Sequence, residues 1–321
     1  MTMPALDKQQ QKLANILSYL PPTHSLPPKM ARPIFTLLDR LTGIKKVDVG
    51  EVKNINIATH GDNQSISLRM YYPTKSAAQY THAMMYFHGG GCVIGSIQSH
   101  DRLCRYLAQH TNTVIISVGY RLAPEYKFPI PILDAIESWN WLQSHKDELG
   151  LSQCEIGAGG DSAGAYLALL LGLPSAQHTL PIQTSCPPEF QYLLYPMVDL
   201  QGLTASYRSA NDGMLLTNKL MDYFRDHYLV SRQQMSLPLV SPLLIDELSE
   251  LPKTYLLTVE FDPLKDDGIA FANKLKAQSV AVHHQHFDDC IHSFVSTARV
   301  SQRAQQGVEE ISRQLKDLCS T

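Results

Sequence analysis

Five short, dense apolar runs punctuate the middle of the chain, at residues 83–87, 114–118, 156–158, 192–195 and 255–259. Each is followed by a helix-like segment. Runs without polar alternation fit strands buried on both faces, so they predict a largely parallel sheet covered by helices. Upstream, residues 52–58 and 65–72 alternate apolar and polar around Gly61-Asp62-Asn63, the pattern of an antiparallel hairpin. Residues 280–287 read as a further edge strand. Residues 130–149 place Leu133, Ile136, Trp139 (or Trp141) and Leu142 at helical spacing, with Gly150 as the stop. Residues 269–275 and 294–318 predict two more helices, the last long and amphipathic.

Two segments break the alternation. Residues 1–45 begin polar, carry Pro-Pro at 21–22 and 27–28, and continue into an apolar stretch at 30–41. That pattern predicts one or two helices with a proline-rich link. Residues 202–240 follow the sixth predicted strand, are long for a crossover, and contain helix-like stretches around Met221–Phe224 and His227–Leu229. The chain therefore divides into an N-terminal cap segment (1–45), the first part of an α/β core (46–201), a cap insertion or lid (202–240) and the rest of the core (241–321). Neither cap segment contains a long apolar run that calls for a broad apolar surface.

Composition narrows the classes. With 44% hydrophobic and 18% charged residues the chain is globular rather than disordered. A net charge of −3 gives no reason to expect nucleic acid or an anionic membrane as partner. The six cysteines (Cys92, Cys104, Cys154, Cys186, Cys290, Cys319) form no C-x-x-C pair, so neither a zinc site nor a disulfide framework is suggested. The first seventeen residues lack a signal-peptide core, and the longest apolar run, 165–173, is about half of the ~20 residues a span needs. A cytoplasmic protein without cofactor or metal is expected.

The chemistry gathers around Gly160-Asp161-Ser162-Ala163-Gly164, a G-x-S-x-G string between a strand-like run and a helix-like one. A tight strand-to-helix turn needs small residues two positions either side of the serine, and it lifts the hydroxyl clear of the sheet. A second string, His88-Gly89-Gly90-Gly91, follows the 83–87 run. Successive glycines leave backbone N–H groups free to meet a developing oxyanion, so Gly90, Gly91 and Ala163 are the expected donors. His88 lies inside that loop and reads as a structural hydrogen-bonder rather than the base. A base must follow Ser162 in a loop beyond a strand. His178 and His227 come too early, and His283, His284 and His286 lie within the edge strand, leaving His292. Asp262 follows the 255–259 run and is the expected acid, with Asp199 as runner-up. Asp266 and Asp267 fall in the next helix, where they read as favourable charges near its N-terminus. Arg121 and Glu125 read as a structural ion-pair or hydrogen-bond network that fixes a turn.

Taken together, these strings, with Tyr120-Arg121-Leu122-Ala123-Pro124-Glu125 and Asp262-Pro263-Leu264, resemble the hormone-sensitive-lipase-like carboxylesterases from about residue 80 onward. Ser99-His100-Asp101-Arg102, Ala165 and Glu260-Phe261 bring the bacterial acetyl esterases of that group to mind as the nearest likeness. The resemblance implies an α/β-hydrolase fold: a mostly parallel sheet flanked by helices, with a helical cap from the N-terminus and an insertion after the sixth strand. It implies Ser162 as nucleophile, Asp262 as acid, His292 as base and Gly90, Gly91 and Ala163 as oxyanion donors. The chain departs from many relatives at Cys92, Ala165 and Ser293, of which Cys92 bears on the shape of the acyl pocket. The expected activity is hydrolysis of short-chain acyl esters, acetyl to butyryl, with a small-molecule ester as substrate. Amide or formamide hydrolysis on the same residues, or a hydrolase fold reused for binding, are the alternatives. A homodimer through the edge strand and last helix is compatible with the pattern.

Overall fold

The computed structural model describes residues 5–59, 64–74, 80–210 and 214–320. The chain opens with helices α1 (Lys8–Leu17) and α2 (Pro28–Thr42), then the strand pair β1 (Glu51–Ala58) and β2 (Ser65–Tyr72). These strands pair antiparallel with Glu51 opposite Tyr72, as the alternation predicts, while the Gly61-Asp62-Asn63 turn lies outside the described residues. Next come β3 (His82–Phe87), α3 (Ile97–Thr111), β4 (Val114–Gly119), α4 (Ile130–His145), β5 (Glu155–Asp161), α5 (Ala163–Leu171) and β6 (Phe190–Leu194). Helices α6 (Ala205–Ser209) and α7 (Asn218–Tyr228) lie between β6 and β7 (Lys253–Phe261), and α8 (Lys265–Ala277), β8 (Val282–Ile291) and α9 (Gln302–Ser320) complete the chain.

The strands form one sheet in the order β1-β2-β4-β3-β5-β6-β7-β8. Every neighbouring pair from β4 to β8 is parallel, and β2 joins β4 antiparallel. Side-chain alternation splits the core in two. Met84 and Tyr86 of β3 join Leu103 and Leu107 of α3 and Ile311 and Leu315 of α9 on one face. Ala83, Met85 and Phe87 meet Trp139 of α4, Phe271 of α8 and the whole of α5 on the other. Helix α5 is apolar on every side because every side is buried, which removes any need for an amphipathic pattern.

Three expectations need correcting. The edge strand runs on through Asp288–Ile291: pairing with β7 breaks at an irregularity between Val259 and Phe261 and resumes with Phe261 opposite Ile291. The terminal helix is interrupted. Residues 294–297 make a 3-10 turn entered through Ser293 at φ 60°, and α9 begins only at Gln302, after the Ser301 hydroxyl has accepted the Ala304 N–H. The third concerns the surface. Of the twelve exposed large hydrophobic residues among those described, seven lie between Ile16 and Leu41 and three more, Leu203, Val230 and Leu237, lie in 202–240. Apolar exposure is thus concentrated where no broad apolar surface was expected, because the exposed positions are spaced by helical turns instead of forming one run.

Both atypical segments sit over the carboxyl ends of the parallel strands. Arg32 of α2 donates to the carbonyls of Val93 (2.9 Å) and Ala123 (2.8 Å), which follow β3 and β4, and pairs with Glu125 at 2.6 Å. Arg121 instead holds Asp134 of α4, whose carboxylate is fully buried and also accepts the Arg121 N–H at 2.7 Å. Arg121 and Glu125 thus do not fix the turn by pairing with each other: one binds it to the core, the other to the N-terminal segment. Tyr223 of α7 donates to the Leu26 carbonyl at 3.1 Å, joining the two atypical segments.

Candidate active site

Strand β5 ends in a turn that only particular residues permit. Ser162 sits at φ 55°, ψ −119°, a strained backbone for a residue with a side chain. A Cβ at Gly160 or Gly164 would overlap the Phe87 carbonyl of neighbouring β3, so the turn can lie against that strand only with glycine at both positions. The result places Ser162 immediately before the N-terminus of α5, where the local field favours negative charge.

Thirty residues apart in sequence, Asp262 and His292 meet at this serine. His292 Nδ1 lies 2.7 Å from Asp262 Oδ2, and Nε2 lies 3.0 Å from Ser162 Oγ. An ionised carboxylate can only accept, so Nδ1 carries the ring proton and Nε2 is free to accept from the serine hydroxyl. The other Asp262 oxygen accepts the Leu264 N–H at 2.8 Å, and the His292 N–H donates to the Phe261 carbonyl at 3.2 Å. All three side chains are buried. The ring of Tyr195 packs on His292 with centroids 4.7 Å apart.

Across from the serine, Gly90 (φ 116°) and Gly91 (φ 62°) curl the loop after β3. Among the described residues the N–H groups of Gly90, Gly91 and Ala163 donate to no acceptor. The loop itself is held by Asp161, the variable position of the serine string. One Asp161 oxygen accepts the Gly89 N–H at 3.0 Å and the Tyr86 hydroxyl at 2.8 Å, and lies 3.2 Å from His100 Nε2. Burial would push the Asp161 carboxyl up, but the charge of His100 and these hydrogen bonds outweigh it and hold it low. Burial likewise favours neutral His100, yet Asp161 raises its pKa above the usual value. His88 is different: burial and the neighbouring His100 charge push it down to about 3. Its Nδ1 lies 2.8 Å from the Gly89 carbonyl and its ring stacks on Tyr120 at 4.4 Å, so it serves the loop as a neutral hydrogen-bonder.

Sequence reasoning singled out Ser162, Asp262, His292 and the glycine loop, and the fold brings them together. It gave no role to Asp161 or Tyr195, or to Phe224 of α7, whose ring fills the space where a Gly91 side chain would stand. Asp161 had a signal in its position beside the serine. Phe224 had none, because nothing in the chain pattern says which face of α7 meets the loop.

The runner-up acid, Asp199, is spent elsewhere: its Oδ1 accepts the Gln201 N–H at 2.8 Å. Beside it, Asp267 is fully buried, and neither carboxyl oxygen meets a donor at ordinary hydrogen-bond distance and angle, although Thr204 lies close. Burial first, and the Asp199 charge second, raise Asp267 from 3.8 to about 7. Between those pH values the folded protein binds more protons than the unfolded chain, so this group adds stability as pH falls through about 7 toward 3.8. Asp267→Asn should remove that contribution. Measured by denaturant unfolding between pH 8 and 5, the parent should gain on the variant toward acid by up to about 1.4 kcal/mol per pH unit. Parallel profiles would contradict the assignment.

Known proteins share this fold. Residues 84–296 match the family profile described as the alpha/beta hydrolase fold. An ethyl acetate hydrolase of Pseudomonas putida is 32% identical over 289 residues, 89% of each chain. An arylesterase of Saccharolobus solfataricus is 31% identical over 81% of this chain and 82% of its own. Among solved structures, a hyperthermophilic esterase from the archaeon Pyrobaculum calidifontis superposes with a TM-score of 0.87 at 30% identity, covering 99% of this chain and 100% of that one. With its sheet order, its serine turn and relatives that are esterases over nearly their whole length, this chain belongs to the hormone-sensitive-lipase-like carboxylesterases of the α/β-hydrolase family and is a carboxylic ester hydrolase.

Proposed function

We propose that this esterase hydrolyses short-chain acyl esters, acetyl to butyryl, through an acyl-enzyme on Ser162. The observation that carries the reading is the hydrogen-bonded line Asp262–His292–Ser162 facing three N–H groups without acceptors. Ser162 Oγ attacks the ester carbonyl carbon while His292 Nε2 takes its proton. The carbonyl oxygen becomes an oxyanion held by the N–H groups of Gly90, Gly91 and Ala163, where each donor contributes about 2.7–4 kcal/mol to the barrier reduction. Collapse expels the alcohol, which receives the proton from His292. Water then attacks the acyl-serine by the same route, His292 serving as base and then returning a proton to Oγ. Asp262 fixes the ring tautomer and stabilises the imidazolium throughout.

Support for short acyl chains comes from the lid side. Residues 1–45 and 202–240 act as a cap in this reading, and Phe224 occupies space directly over Gly91. Cys92, next to the same glycine, is fully buried. The relative named for ethyl acetate, a two-carbon acyl ester, is consistent with this size limit.

A rate series over p-nitrophenyl esters of increasing acyl length tests the proposal. Specificity should peak between acetate and butyrate and fall for longer chains, and Phe224→Ala should move the fall toward longer ones. Ser162→Ala should lose at least about 10⁴-fold in kcat with the fold intact by circular dichroism. Asp262→Asn should lose about 10³–10⁴-fold, while Asp199→Asn stays near the parent. A profile flat through laurate would overturn the chain-length reading, retained turnover in Ser162→Ala would overturn the nucleophile, and the reverse Asp ranking would move the acid.

A further inference from the structure

Helix α2 carries an apolar stripe on the wrong side. Met30, Ile34, Leu37 and Leu41 recur at helical spacing and are 55%, 41%, 54% and 57% exposed, while the opposite face, with Ala31 and Arg32, packs on the core. At 100° per residue these four fall on one narrow arc, with Lys29 and Arg40 along one border. Just upstream, Tyr19 and Leu20 are 90% and 50% exposed. Scattered exposed hydrophobics need no explanation, but a stripe of this kind does.

The charge around it is equally uneven. Residues 1–46 hold seven Lys or Arg against Asp7 and Asp39, a net +5. The whole chain is −3, so the remainder carries −8. Lys8, Lys12, Lys29, Arg40, Lys45 and Lys46 are all exposed, and among the described residues none of the six forms an ion pair. An apolar face bordered by free cations on a chain that is otherwise acidic matches an amphipathic helix lying in the plane of an anionic interface. A second copy of the chain fits less well, since a twofold contact would bring one +5 segment against another. No helix among the described residues is long and apolar enough to cross a membrane, so the contact would be with the surface.

We propose that the α2 stripe and its basic border dock this protein on an anionic lipid–water interface, with the cap turned toward the lipid. The orientation follows from the Tyr223–Leu26 hydrogen bond, which joins α7 to the segment leading into α2, and from exposed Leu203, Val230 and Leu237 in the same cap. Docked this way, the enzyme would draw substrate from a phase in which small esters of low water solubility concentrate.

Co-sedimentation of the full chain with vesicles reads the proposal without using turnover, so its failure is separable from failure of the esterase assignment. The parent should pellet with phosphatidylcholine vesicles containing 40 mol% phosphatidylglycerol, and several-fold less with phosphatidylcholine alone or in high salt. Leu37→Glu/Leu41→Glu should abolish binding while keeping the parent rate on soluble p-nitrophenyl acetate. Lys29→Glu/Arg40→Glu should weaken binding to the anionic vesicles only. No binding by the parent to the anionic vesicles would overturn the proposal. So would a dimer in sedimentation velocity that Leu37→Glu/Leu41→Glu dissociates, which would assign the stripe to a second copy.

Discussion

The close approach of the β5–α5 turn to the end of β3 is the constraint on which the rest of the site depends. Glycine at 160 and 164 lets the turn settle against the Phe87 carbonyl, and that contact sets Ser162 beside the glycine loop that follows Phe87. Asp161 then ties the two together by accepting the Gly89 N–H. Nucleophile and oxyanion donors are therefore positioned by one contact between adjacent strands. Their separation rests on the parallel register of β3 and β5 and on the curl of the glycine loop that Asp161 holds.

Electrostatics complete what packing begins. Asp161 is charged although fully buried, because His100 and two hydrogen-bond donors face it. Asp262 is satisfied by His292 on one oxygen and a backbone N–H on the other. Asp267, which has neither kind of partner, is the carboxyl whose proton affinity rises to about 7. Asp161 and Asp267, both buried, thus differ because of the donors around them, not their depth. The same rule separates His100, whose proton affinity its partner's charge raises, from His88 5.5 Å away, whose proton affinity falls.

Much of this was legible in the chain because it is local. Dense apolar runs marked the buried strands, and the serine, glycine and histidine positions followed from where those runs end. What escaped was set by tertiary contact. The strand β8 runs past the 280–287 stretch because pairing with β7 resumes past an irregularity, which no local pattern encodes. Glu125 and Arg121 share a turn in sequence, yet Arg32 and Asp134, from helices on either side of it, decide their partners. The exposed stripe of α2 escaped for a related reason: amphipathicity shows that a helix has an apolar face, whereas only the fold shows that this one points outward.

The central claim is that Ser162, fixed by the glycine turn, faces an oxyanion site built from Gly90, Gly91 and Ala163. A crystal structure of the enzyme after reaction with a p-nitrophenyl alkylphosphonate tests it most directly, because the phosphonyl oxygen stands in for the oxyanion of the tetrahedral intermediate. The account predicts a covalent bond from Ser162 Oγ to phosphorus and the phosphonyl oxygen about 2.7–3.1 Å from the three nitrogens. An adduct on another residue, or an oxygen turned away from Gly90 and Gly91, would contradict it.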